Sequence, residues 1–384
     1  MSEDSVRVGD RVTIERHDFP AFLSSVRAAG YRIVGPTVRD GAIVYGEIGQ
    51  ESDLPIGWTE RQEAGTYRLE RRADAALFGY AVGPQSWKKY LFPSRERLWT
   101  VTRSDGSFQV TPEPTDGSPV AFLGVRACEL AAIAIQDRVF GMASDPGYAA
   151  RRRRVLRIAV QCGVAGGTCF CVSMGTGPAV QGNHDLALTE VLTPERHYFQ
   201  VDVGSRAGAA VLASVPVRAA SSRDVGLAEG VVAKTAASMG RKMNTEGIRD
   251  LLIDNPEHPR WEIVARRCLA CTNCTMACPT CFCSTTEEVP ELSVEKVERW
   301  RRWDSCFNAG FSDLHASPVR KTTQARYRQW MTHKLAAWFD QFGSSGCVGC
   351  GRCITWCPVG IDITEEVAAI RAAPGARKPS GGAP

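Results

Sequence analysis

Arg267–Cys283, RCLACTNCTMACPTCFC, and Cys347–Ile363, CVGCGRCITWCPVGIDI, decide how this chain is read. Each holds the order Cys-x2-Cys-x2-Cys-x3-Cys-Pro. The first copy uses Cys268, Cys271, Cys274, Cys278 and Pro279, the second Cys347, Cys350, Cys353, Cys357 and Pro358. Three thiolates spaced by two residues wrap one side of an iron–sulfur cubane within a tight loop. The fourth, followed by proline, points away and ligates the other cluster. Cluster one is therefore expected on Cys268, Cys271, Cys274 and Cys357, and cluster two on Cys347, Cys350, Cys353 and Cys278. Structural zinc also uses C-x2-C pairs but does not require the x2-x2-x3-Pro order, here written twice. Two [4Fe–4S] clusters are the reading. Gly349 and Gly351 suit backbone that must come close to a cluster.

Working outward, the rest of the chain supports a globular setting. Its 384 residues are 44% hydrophobic and 23% charged, enough for two or three packed domains and too apolar for wholesale disorder. A net charge of +4 with 8% aromatics announces no nucleic-acid stripe. The N-terminus, MSEDSVRVGDRVTIERHDF, has no secretory pattern, and the best membrane candidate, residues 119–135, is broken by Arg126 and Glu129. A cytoplasmic location is expected, where clustered cysteines mean metal or catalysis rather than disulfides.

The predicted fold class is α+β: an N-terminal mixed α/β domain, then a two-[4Fe–4S] ferredoxin-like domain with a helical insertion between its half-motifs. Residues 1–118 read as a β-rich region, with strands in YRIVGPTV, GAIVYGEI and FQVTPEP and a helix near Phe22–Ala29. In QSWKKYLFP, Lys88 and Lys89 read as a solvated helix end over a packed Trp87. Residues 119–225 read as α/β: PVAFLGV and VLRIAVQC are buried strands, and CELAAIAIQDRVFG is the helix of a right-handed crossover between them. DLALTEVL and YFQVDV extend the sheet. Arg151–Arg154 reads mainly as solvated loop charge. Residues 226–366 form the dicluster domain, with an insertion at 284–340 read largely as helix, WRRWDSC included. Residues 367–384 are a disordered tail.

The insertion is basic. From Lys296 to Lys334 it has Lys296, Arg299, Arg301, Arg302, Arg320, Lys321, Arg326, Arg328 and Lys334 against Glu298, Asp304 and Asp313. Positive neighbours should raise the potentials of anionic clusters; partner docking is the alternative.

Seven of the fifteen cysteines remain. Cys128 follows the first buried strand and Cys162 ends the second, so parallel pairing places both at one carboxyl edge, where open α/β sheets hold ligands. Cys169 and Cys171 lie in the glycine-rich loop that follows. These four are a candidate third metal site, for iron–sulfur or zinc, against the plain alternative of buried free thiols. Cys281, Cys283 and Cys306 could join His315 or His333 at a further centre. The tetrapeptide TCFC occurs twice, at Thr168–Cys171 and Thr280–Cys283. The sequence holds no strand-linked G-x-G-x-x-G, no phosphate-binding G-x-x-x-x-G-K-[ST], no G-x-S-x-G and no H-E-x-x-H. No residue is predicted to be catalytic.

Taken together, GVRACELAAIAIQDRVF, CFCVSMGTGP, RCLACTNCTMACPTCFC, RYRQWMTHK and CVGCGRCITWCPVGIDI resemble the beta subunits of cytoplasmic sulfhydrogenases, soluble [NiFe] hydrogenases coupled to NAD(P). One of the subunits of anaerobic sulfite reductase is similar over the same span, about Gln85 to Ile363. The resemblance implies an iron–sulfur subunit that relays electrons between the hydrogenase large and small subunits and a flavoprotein NAD(P)-binding subunit. It carries the two-cluster ligands onto the eight cysteines named above. The alternatives are the sulfite reductase subunit, or an N-terminal α/β region with its own catalytic or cofactor site. Neither nucleic acid nor a membrane span is expected.

Overall fold

The computed structural model describes residues 6–373 apart from 105, 115–117, 143–144, 294 and 316. The first part of the chain runs β1 (Arg11–Glu15), α1 (Phe19–Ala28), β2 (Arg32–Arg39), β3 (Ala42–Glu47), β4 (Trp58–Glu63), β5 (Thr66–Arg71), α2 (Lys88–Leu91), β6 (Arg95–Ser104) and β7 (Ser107–Pro112). It continues through β8 (Val120–Val125), α3 (Ala127–Met142), α4 (Pro146–Arg153), β9 (Val155–Val160), β10 (Leu186–Leu192), β11 (His197–Val203), α5 (Arg206–Leu212), β12 (Arg218–Ala219) and α6 (Ser222–Ala237). The last part holds α7 (Ile248–Ile253), α8 (Arg260–Arg267), α9 (Asn273–Met276), β13 (Ser284–Pro290) and β14 (Lys296–Trp303). Helix α10 (Thr323–Thr332) leads through a π-helical turn at His333–Ala337 into α11 (Trp338–Phe342), α12 (Arg352–Thr355) and α13 (Ile363–Ala372).

Strands β8 and β9 are parallel neighbours, joined through α3 and α4. The apolar runs are continuous because both faces of these strands are covered. Ala121 and Leu123 face the core packed by Phe22 and Val26 of α1, while Phe122 and Val125 face the core packed by Leu130 and Ile133 of α3. The full sheet has the order β12-β1-β11-β10-β9-β8-β2-β3, parallel from β10 through β2 and antiparallel at both sides.

This order corrects three expected boundaries. Residues 1–118 are not a separate β-rich region: β2 lies parallel beside β8, and β1 pairs with β11. Ile33 and Val34 serve opposite cores, which makes β2 an interior strand. The cut between 225 and 226 falls inside α6, which starts at a Ser221–Asp224 capping box and packs on β10 and β11. The tail expected from 367 is helical to Ala372, because Val367 and Ile370 are buried; residues 374–384 of that tail lie outside the described residues.

The insertion differs most from its helical prediction. Residues 284–303 form the hairpin β13–β14, which pairs with β6–β7 in a four-stranded sheet of order β13-β14-β6-β7. Trp300 and Trp303 are three apart, a spacing that imitates a helix face, yet they lie in strand and take cationic partners from different parts of the chain. Arg95 stacks on Trp300, and Lys88 sits 3.8 Å from the Trp303 ring. Arg301 anchors the hairpin on Glu96 and Asp145. Apart from one 3-10 turn at Ala309–Ser312, helical structure begins only at Thr323.

The arginine run is also less solvated than expected. It ends α4, where Arg151 pairs with Glu96 and Arg152 with Asp137, leaving Arg153 and Arg154 exposed. Trp87 is buried as predicted, stacked between Tyr45 and Phe122. Lys88 departs from the solvated reading at 3% exposure, with Nζ 3.2 Å from the Cys281 carbonyl. No helix among the described residues is long and apolar enough to cross a membrane.

Candidate metal centres

The two cysteine loops share one backbone design. Ala270 and Thr272 in the first have φ of 50° and 70°, and Gly349 and Gly351 at the matching places in the second have 63° and 75°. In each loop the amide two residues after the first cysteine donates to that sulfur at 3.4 Å: Ala270 N–H to Cys268, and Gly349 N–H to Cys347. Left-handed turns thus aim backbone N–H groups inward at sulfur, the arrangement an anionic cluster requires.

Since Ala270 and Thr272 adopt this geometry with a Cβ, conformation alone does not explain the glycines of the second loop. Close approach does. A Cβ on Gly349 would lie 2.7 Å from the Cys171 backbone, and one on Gly351 would lie 2.4 Å from the Thr168 carbonyl. What presses on these glycines is the segment 168–171.

The electrostatic neighbours of the thiols reach across the two loops. Burial, then repulsion from Cys268, Cys357 and Cys271, pushes the Cys274 thiol up. Burial, then Cys347, Cys350 and Cys278, does the same to Cys353. Cys357 thus lies near the first loop and Cys278 near the second, the neighbourhood that the crossed assignment needs, with Cys274 and Cys278 also close enough to feel the other set. One-turn helices α9 and α12 carry the chain from one set to the other and pack together. The first set borders a pocket walled by Phe307, Tyr327, Trp330, Ile361 and Ile363, and Cys271 is exposed there. In the second set Cys278, Cys347 and Cys350 are buried.

Among the described residues, no three His, Cys, Asp or Glu side chains are gathered closely enough for a single metal ion. Tetrahedral zinc with bonds of about 2.3 Å would draw its sulfurs to roughly 3.8 Å of one another. All-thiol sets of four at wider spacing suit a core that itself contains iron and sulfide. The donors fit [4Fe–4S] clusters in number, chemistry and amide support.

Sequence reasoning missed the specific cations at the second set. Lys334, on the π-helical turn, is 6% exposed, with Nζ 3.3 Å from Cys278 Sγ, 3.0 Å from Thr280 Oγ1 and 3.2 Å from the Gly346 carbonyl. Burial opposes its charge, but the facing Cys278, Cys281 and Cys347 hold the ammonium well above its ordinary pKa. π-turns of this kind often mark functional positions. Most of the remaining basic excess is neutralised from outside the window: Arg299 by Glu288, Arg302 by Glu287, Arg328 by Glu257.

The remaining cysteines divide. Cys281 lies beside Cys278 and Cys283 beside Cys306, a proximity that lowers the pKa of the Cys283 thiol. His333 is half-buried with its ring against Phe282, and His315 is exposed, so the expected three-cysteine, one-histidine centre is not assembled around an ion. Both TCFC copies lie against the second cysteine loop. Thr168 Oγ1 is 2.7 Å from Thr355 Oγ1, and Thr280 Oγ1 donates to the Gly346 carbonyl at 2.6 Å. Cys128, Cys162, Cys169 and Cys171 approach one another at the sheet edge.

Residues 267–361 match the family described as the 4Fe-4S dicluster domain, which makes this an iron–sulfur protein of the electron-transfer class. Over 366 residues the chain is 27% identical to sulfhydrogenase 2 subunit beta of Pyrococcus furiosus, covering 94% of this chain and 98% of that one. The chain is thus a homologue of a hydrogenase beta subunit. No solved structure matches it.

Proposed function

We propose that this chain is the iron–sulfur relay subunit of a multi-subunit oxidoreductase, passing electrons between a [NiFe] hydrogenase module and an NAD(P)H-binding flavoprotein subunit. The observation that carries this reading is the pair of matched cysteine loops with amides aimed at sulfur, to which we assign the crossed sets Cys268, Cys271, Cys274 and Cys357 beside Cys347, Cys350, Cys353 and Cys278. When bound, each [4Fe–4S] cluster would supply a one-electron carrier. The chain's own residues hold the thiols in register, aim the Ala270 and Gly349 amides at sulfur, and exclude water from the second set behind Lys334 and Arg352.

The exposed rim at Cys271, with Leu269 63% exposed beside it, supports one end of the relay at the surface. Similarity to a sulfhydrogenase subunit favours the hydrogenase over the sulfite reductase reading. Anaerobically purified chain should be brown, contain at least about eight irons, and lose about four in Cys274→Ser or Cys353→Ser. It should take up electrons from a low-potential donor yet show no hydrogen turnover alone. Robust turnover by the isolated, flavin-free chain would overturn the reading.

A further inference from the structure

Four cysteines outside the crossed sets come from three places in the chain and meet at one edge of the main sheet. Parallel pairing of β8 and β9 brings their carboxyl ends together, with Cys128 starting α3 and Cys162 following β9. The loop 163–178 then folds back over this edge. Cys169 and Cys171 are buried there, and Cys169 Sγ lies 3.9 Å from the Cys350 carbonyl. Cys128, Cys171 and Cys350 share one packed cluster. A Cβ on Gly177 would lie 3.1 Å from Cys171 Sγ and 3.3 Å from the Ala127 side chain, so the loop's far end is closed against the start of α3.

A second, independent observation points to a negative charge in this nest. Arg126 and Arg352 are 0% and 1% exposed. Arg126 spends its terminal nitrogens on the Phe78, Tyr80 and Gln161 carbonyls, and Arg352 uses Nε and Nη2 on Gly83, Gln85 and Glu129. Arg126 Nε is left buried without an acceptor, whereas Arg352 belongs with Cys350 of the second set. A buried guanidinium N–H without a partner is costly, and an anionic centre close by relieves it.

We infer that Cys128, Cys162, Cys169 and Cys171 hold a third [4Fe–4S] cluster, seated against the second cysteine loop beside Cys350. The donor set is four thiols, as a cubane takes. The contact also accounts for the glycines at 349 and 351, which let the segment bearing Cys169 and Cys171 lie on the loop of the second set. This inference stands apart from the relay reading, because none of its four ligands belongs to the crossed sets.

The test uses the full chain, reconstituted anaerobically with ferrous iron and sulfide. Native mass spectrometry counts clusters directly, alongside iron, sulfide and zinc assays. Three clusters and about twelve irons are expected, falling by about a third in Cys162→Ser and in Cys169→Ser. In both variants the reduced-state paramagnetic resonance of the other two clusters should persist. Wild-type chain that saturates at two clusters would overturn the inference, with or without an added zinc; so would a Cys169→Ser variant that keeps three. The wild-type count decides even if a variant fails to fold. Loss of a cluster in Cys169→Ser but none in Cys353→Ser would instead overturn the dicluster assignment and leave this one standing.

Discussion

Arg352 and Glu129 form an ion pair at 2.7 Å with both side chains 1% exposed. Arg352 lies between Cys350 and Cys353, and Glu129 directly follows Cys128. Tyr45 donates to the other Glu129 oxygen at 2.6 Å. The pair thus fastens the second cysteine loop to the first turn of α3, tying the dicluster half to the sheet half at a fully buried contact.

Removing one partner of such a pair strands the other charge, at a cost of about 3–5 kcal/mol. Arg352→Met is expected to destabilise the chain by that amount in denaturant titrations. Arg352→Met with Glu129→Gln should cost measurably less than the two single losses added together. Additive losses would mean the pair is not coupled.

Gly349→Ala places a side chain at φ 63° and 2.7 Å from the Cys171 backbone. The left-handed conformation alone costs roughly 1–2 kcal/mol, and the collision adds to it. Ala270, at the matching position with φ 50°, already carries its Cβ. Thermal melts should show a clear loss for Gly349→Ala, whereas Ala270→Gly should stay within about 1 kcal/mol of wild type.

Lys334 places its ammonium 3.3 Å from Cys278 Sγ. Lys334→Met removes a positive charge from a cluster whose reduction adds a negative one. The potential of the second cluster should therefore fall, on the order of 100 mV for a unit charge at this range in a protein interior. A redox titration followed by paramagnetic resonance reads the shift; the first cluster should move far less.

Glu60 supplies a pH dependence. Its Oε1 accepts from Ala81 N–H at 2.7 Å and Gln62 Nε2 at 3.1 Å, while Oε2 is buried without a partner. Burial pushes its carboxyl up from 4.5 to about 7, against those hydrogen bonds. Between these values the folded state holds a proton that the unfolded state releases. Stability from this group is full below about 4.5 and is lost as the pH rises through about 7. Glu60→Gln should flatten that slope, gaining up to about 3 kcal/mol relative to wild type at pH 8 compared with pH 4.5. Parallel wild-type and variant curves would contradict this.

The sequence pattern served best where local geometry is self-contained. The continuous apolar runs at Val120–Val125 and Val155–Val160 foretold buried parallel strands, and the matched cysteine spacings foretold paired loops. It served worst where a partner far along the chain decides. Trp300 and Trp303 imitate a helix face, and pairing of β14 with β13 and with the distant β6 makes them strand. Lys88 and Lys334 look like surface charge until Trp303 and Cys278 close over them. Gly349 and Gly351 suggested cluster contact, but the approaching atoms belong to Thr168 and Cys171, more than 170 residues earlier.

The central claim, two crossed thiol sets holding reducible clusters, is tested most directly by low-temperature paramagnetic resonance of the anaerobically reduced full chain. Wild type should give signals from at least two [4Fe–4S] clusters, with one lost in Cys357→Ser and a different one lost in Cys278→Ser. A colourless, zinc-loaded chain with no signal on reduction would contradict the account.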